Sequence, residues 1–114
     1  MVCNDAMRKL VAMSMLAGLA WWPLAQAQDV AQAEGLLKKS GCMKCHALSA
    51  KKEGPSFKDT AAKYKGKPDG VAAVTRQITA SPKMKIDGRE ELHDALKTKN
   101  EAEIKNVVAY ILSR

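Results

Sequence analysis

One stretch constrains this chain more than any other: Cys42-Met43-Lys44-Cys45-His46. Two thiols stand two residues apart, and an imidazole follows the second directly. One tight helical turn brings both sulfurs to a common edge and aims the neighbouring ring at whatever lies beside them. Four chemistries use such a set. A redox-active dithiol wants its Cys-x-x-Cys after a strand, opening a helix of a βαβ unit, and the residues before Cys42 read as helix. A zinc site takes four ligands, usually from two separated pairs. Beyond the first 27 residues only Cys42, Cys45, His46 and His93 are on offer, and the adjacent Cys45 and His46 do not easily share one tetrahedral ion. A Cys42–Cys45 disulfide closes too small a loop to stabilise much.

The fourth chemistry is covalent attachment of one haem c, the specific reading of Cys-x-x-Cys-His. Each thiol, Cys42 and Cys45, adds across one vinyl group of the macrocycle, and His46 becomes the proximal ligand of the iron. The rest of the chain then has two tasks. It must reach a compartment where haem is attached, and it must supply a sixth ligand and an apolar box.

The first task is written at the N-terminus. Arg8 and Lys9 precede an apolar run from Leu10 to Ala25, and Ala25-Gln26-Ala27 follows as a small-x-small signal. This is the three-part layout of a cleaved secretory signal peptide. The run is shorter than the roughly 20 residues that span a bilayer. The expected division is therefore a leader over 1–27 and one domain over 28–114, periplasmic, with no stable membrane anchor after cleavage. Both tryptophans leave with the leader, so Phe57, Tyr64 and Tyr110 are the only aromatics of the domain. So short a chain with so few large side chains has a thin core, which a buried macrocycle would thicken.

The formal net charge of the full chain is +7. Removing Arg8, Lys9 and Asp5 leaves the domain strongly basic. That balance favours acidic protein partners met at rates that fall with salt, and it also serves solubility. No interleaving of basic and aromatic residues points to nucleic acid.

The domain reads as helices. Asp29 is an N-cap candidate for a first helix carrying Val30, Ala33, Leu36 and Leu37. A short helix is expected over Asp59–Tyr64. Another starts at Pro68-Asp69, with Val71, Val74 and Ile78 as its apolar face. Asn100 with Glu103 forms a capping box ahead of the stripe Ile104, Val107, Val108, Ile111 and Leu112, flanked by Tyr110. Lys83 to Lys99 shows no period, Asp87-Gly88 marks a turn, and no strand is evident.

The motif, the Gly54-Pro55 loop and the amphipathic last helix together resemble the class I c-type cytochromes of the small monohaem c-551/c-552 kind. The resemblance spans residues 28–114. It implies an all-α cytochrome c fold, with four to five short helices around the haem and the N- and C-terminal helices crossing. It places residues near Gly35 and Leu37 against Tyr110. It also implies that the Pro55 carbonyl accepts a hydrogen bond from the His46 ring and so orients it. For the sixth ligand two candidates stand open. Met84 has the family's usual chemistry, but His93 has the family's spacing before the last helix and is the only other histidine. His93 is preferred and Met84 kept as the alternative; on this reading His93→Ala leaves the distal side open.

Two fixed axial ligands favour electron transfer over activation of a substrate. The expected function is a one-electron carrier between respiratory or dehydrogenase partners, its exposed haem edge ringed by Lys44, Lys51 and Lys52. It is expected to be a monomer and not an enzyme, since no nucleophile has a spare histidine. Two alternatives remain: a haem that binds a small gas, and the electron-transfer subunit of a larger oxidoreductase complex.

Overall fold

Asp29 opens the first helix as its side chain accepts from the Gln32 N–H at 2.9 Å. The computed structural model describes residues 28–114; the leader expected over 1–27 lies outside the described residues. The elements run α1 (Val30–Lys39), a 3₁₀ turn (Cys42–Lys44), α2 (Phe57–Tyr64), α3 (Gly70–Thr79), β1 (Lys83–Ile86), β2 (Arg89–Leu92) and α4 (Glu101–Leu112).

The first and last helices cross. Ala33 and Leu37 of α1 and Val107, Val108, Tyr110 and Ile111 of α4 are buried in one cluster. At about 1.5–3 kcal/mol for each large apolar side chain removed from water, this seam is a substantial part of the fold's support, continued by Phe57, Val74, Ile78 and Leu96. Polar contacts fix its angle. Asn106 accepts from the Asp29 N–H at 2.9 Å, and its amide donates to the Asp29 carbonyl at 2.7 Å and to Gln32 Oε1 at 2.9 Å. The Tyr110 hydroxyl donates to Glu34 Oε1 at 2.9 Å. Tyr110 is therefore a core residue rather than a flank. Gly35 is not part of the seam, because a side chain there would meet nothing; Ala33 is the small residue at the crossing. Val30 likewise faces out.

Beyond the crossing, the chain departs from the expected pattern in four places. Helix α2 begins two residues early, because the buried Ser56 caps it by accepting from the Asp59 N–H at 3.0 Å. In α3, Val74 and Ile78 face the core but Val71 is 60 % exposed; the inward position belongs to Gly70. Ahead of α4, Asn100 caps Ala102 and Glu103, but Glu103 does not close the box directly. Its carboxylate accepts from the Thr98 hydroxyl, and Thr98 Oγ1 accepts from the Asn100 N–H at 3.1 Å.

The largest departure is a two-stranded antiparallel hairpin where no strand was expected. Its register pairs Lys83 with Leu92, Met84 with Glu91, Lys85 with Glu90 and Ile86 with Arg89. Asp87 and Gly88 both have positive φ, 49° and 80°, the two-residue turn whose twist suits a hairpin. The fold is thus helical with one hairpin, not helical throughout. The segment after it is pinned by Leu96 N–H to the Ile78 carbonyl at 2.8 Å and Lys97 N–H to Ser40 Oγ at 2.9 Å.

Candidate functional site

The last turn of α1 delivers the chain into the motif through Gly41, whose φ of 79° lies in the left-handed region. The 3₁₀ turn then closes on itself: the His46 N–H donates to the Cys42 carbonyl at 3.0 Å. Both thiols are free and half-buried. Burial, foremost, pushes the Cys42 thiol up, helped by Asp94 and Cys45. Cys45 is pushed up by desolvation first, and then by Glu53, Asp94 and Glu91; its thiol donates to Glu53 at 3.5 Å. Reactive dithiols need the opposite, a lowered thiolate pKa. The environment and the absence of a preceding strand among the described residues both count against dithiol redox chemistry.

The loop after the motif folds back beneath it. The Gly54 N–H donates to the Cys45 carbonyl at 2.8 Å, and the Phe57 N–H to the Ala47 carbonyl at 2.9 Å. This brings the Pro55 carbonyl to 2.6 Å from His46 Nδ1. A carbonyl can only accept, so His46 Nδ1 carries the proton of this bond, and Nε2 is the ring nitrogen turned to the other side. Phe57 stacks on the same ring, 5.6 Å away and 19° off parallel. Gly54, read from the sequence only as part of the Gly54-Pro55 loop, is itself a site residue. A Cβ there would lie 2.5 Å from His46 Cε1 and 2.8 Å from Nδ1, so the ring can sit where it does only over a glycine.

Facing His46 is a cavity of about 380 Å³. Leu37, Phe57, Val74, Ile78 and Ile111 make its apolar walls, and Met84 and His93 enter from the hairpin side. A smaller cavity of about 120 Å³ adjoins it at the Cys45 edge and shares Cys42, His46, Met84 and His93. The His93 ring centre lies 6.0 Å from that of His46. Two imidazoles on opposite sides of one metal, with bonds of about 2.0–2.1 Å and about 1 Å from nitrogen to ring centre, stand about 6 Å apart. His93 Nδ1 is buried without a hydrogen-bond partner, an arrangement that costs free energy. Burial, and then the charge of His46, hold the His93 ring below the usual histidine range, in the neutral form that ligates.

Lys44, Lys51 and Lys52 are all exposed, and Lys52 donates to the Met43 carbonyl inside the motif at 2.7 Å. The rim nearest Cys45 carries Glu53, Glu91 and Asp94. The residues present fit a haem: two free thiols on one edge, an oriented imidazole, an apolar cavity and a second imidazole at metal-bridging distance. Fold and site define a small single-haem domain of the c type.

Comparison with known proteins agrees. The cytochrome c family profile matches residues 24–114. A class 1 cytochrome, MtoD, of Sideroxydans lithotrophicus superposes with a TM-score of 0.71 at 42 % identity, covering 76 % of this chain and 97 % of that one. Cytochrome c552 of Nitrosomonas europaea superposes with a TM-score of 0.54 at 28 % identity, over 70 % and 96 %. Cytochrome c-552 of Hydrogenobacter thermophilus is 49 % identical over 45 residues, 40 % of this chain and 46 % of that protein. Cytochrome c-551 of Pseudomonas denitrificans is 44 % identical over 50 residues, 44 % and 61 %. The chain thus spans about half the length of the curated relatives it matches. It belongs to the cytochrome c family, as a class I monohaem c-type cytochrome with one covalently bound haem c.

Proposed function

We propose that this cytochrome is a periplasmic one-electron carrier, exported by a signal peptide cut after Ala27 and not itself an enzyme. Cys42 and Cys45 form the thioethers, His46 is the proximal ligand oriented by Pro55, and His93 is the distal ligand. The haem supplies a reversible one-electron couple. The protein's part is to hold both imidazoles, to exclude water with Leu37, Phe57 and Ile78, and to set the potential. One observation carries the reading: the two imidazole ring centres lie 6.0 Å apart, and both rings line one apolar cavity. With both axial positions filled, no site remains for a substrate. Imidazole on both sides favours the oxidised iron more than a thioether does, so the potential falls below that of His/Met relatives.

The basic domain suits acidic redox proteins as partners, met through the outlying lysines such as Lys44 and Lys51, with the carboxylates at the Cys45 rim setting orientation. The test is spectroscopic. Haem-loaded protein from a periplasm should be low-spin and six-coordinate in both oxidation states, show no thioether-to-iron absorption, and exchange single electrons with a protein partner at rates that fall with salt. Ready uptake of carbon monoxide by the reduced protein at neutral pH would favour a gas-binding haem instead. Stable co-purification with a larger oxidoreductase would make it a subunit.

A further inference from the structure

Both candidate iron ligands ride on the hairpin, and on the same face of it. Met84 pairs directly with Glu91, so their side chains leave the sheet on one side. His93 follows Glu91 by two residues and returns to that side. Its N–H donates to the Pro82 carbonyl at 3.0 Å, which extends the ladder past Leu92. Met84 and His93 are therefore diagonal neighbours across an antiparallel pair, a backbone spacing of about 7–8 Å that long side chains span. Met84 is half-buried while Lys83 and Lys85 on either side are exposed, and both Met84 and His93 line both cavities beside His46.

We propose that Met84 is a reserve iron ligand, carried beside His93 and taking the distal position whenever His93 leaves it. The proposal rests on His93 holding that position at rest. The exchange breaks one iron–nitrogen bond and makes one iron–sulfur bond; no electron is gained or lost. Methionine is unbranched, with three rotatable bonds, so a rotamer change together with a small tilt of the hairpin covers the diagonal. The hairpin base is held at Pro82–His93, whereas its tip at Asp87-Gly88 is exposed. The soft thioether favours the reduced iron, so the exchanged protein has the higher potential. The expectation from sequence that His93→Ala leaves the distal side open changes accordingly.

The test compares haem-loaded wild type with His93→Ala, His93→Gln, Met84→Ala and the double variant His93→Ala/Met84→Ala. The two single His93 variants should remain six-coordinate. They should show the thioether-to-iron absorption when oxidised, and a strongly upfield-shifted methionine methyl in the NMR spectrum when reduced. Their potential should lie above that of wild type, and Met84→Ala should keep the wild-type spectrum. The double variant should lose the methionine signals and take up carbon monoxide at once. If both single variants are five-coordinate and bind carbon monoxide like the double variant, the reserve ligand is refuted while the His93 assignment stands. If wild type already carries the methionine signals and Met84→Ala abolishes them, the resting assignment to His93 fails and the proposal falls with it.

Discussion

Gly54→Ala isolates what holds the proximal imidazole. The new methyl would stand 2.5 Å from His46 Cε1 and 2.8 Å from Nδ1, where ordinary contact begins at 3.4 Å. The Gly54 backbone does not lie in the left-handed region, so alanine strains no dihedral and the cost is steric. One neighbour must yield by about 1 Å to restore contact distance. The Gly54 N–H is tied to the Cys45 carbonyl at 2.8 Å and Phe57 stacks on the ring, so neither the loop nor the ring moves freely. Moving it stretches the 2.6 Å bond to the Pro55 carbonyl past the range in which a hydrogen bond holds.

Two costs follow: about 1–3 kcal/mol for overpacking and about 1 kcal/mol for the lost hydrogen bond, together about 2–4 kcal/mol. Denaturant unfolding of the haem-loaded protein reads the sum. The resonance of the His46 Nδ1 proton reads the hydrogen bond separately, and a weaker bond makes His46 a poorer donor, so the potential rises. If Gly54→Ala unfolds within about 0.5 kcal/mol of wild type and leaves that proton resonance unmoved, then the ring is not held by this loop and the account of Gly54 is wrong.

Three further expectations concern the helix crossing. Tyr110→Phe removes the hydroxyl bond to Glu34 and should cost about 1–3 kcal/mol, read by thermal or denaturant unfolding. Burial, and then Glu34, raise the Tyr110 phenol above its ordinary value; the folded state thus holds that proton more tightly than the unfolded chain. Its contribution is complete below the unfolded pKa of about 10 and is lost as pH rises through the folded one, so Tyr110→Phe should unfold less steeply with pH in alkali than wild type. Asn106→Ala severs three bonds to the start of α1 and should cost about 1–3 kcal/mol, with hydrogen exchange rising first at the N-terminus of α1.

What the sequence made legible was whatever depends on neighbours in the chain. The motif chemistry, the Asp29 and Asn100 caps and the stripe of α4 all follow from spacings of a few residues, and α1 and α4 appear where their periodicity puts them. Gly54 was opaque because its role is a close approach to a ring eight residues earlier, and a Gly-Pro pair looks the same in any turn. The hairpin carried a local signal, Asp-Gly after Lys-Met-Lys-Ile, which is alternating and ends in a two-residue turn. That signal is weak, because the second strand, Arg-Glu-Glu-Leu, has poor strand propensity, and four-residue strands give too few alternations to stand out from a loop.

The hairpin matters more than its eight residues suggest. Read as a loop, the segment offers Met84 and His93 as rivals for one position. Read as a ladder, it presents both, since a period of two puts His93 and Glu91 on one side and pairing puts Met84 with them. A shift of register by one residue would turn Met84 and Ile86 outward and bury lysines against the cavity, a change the apolar walls oppose at about 1.5–3 kcal/mol for each exposed side chain. The same walls therefore hold the hairpin in the register that keeps Met84 and His93 on one side, the arrangement the proposed ligand exchange requires.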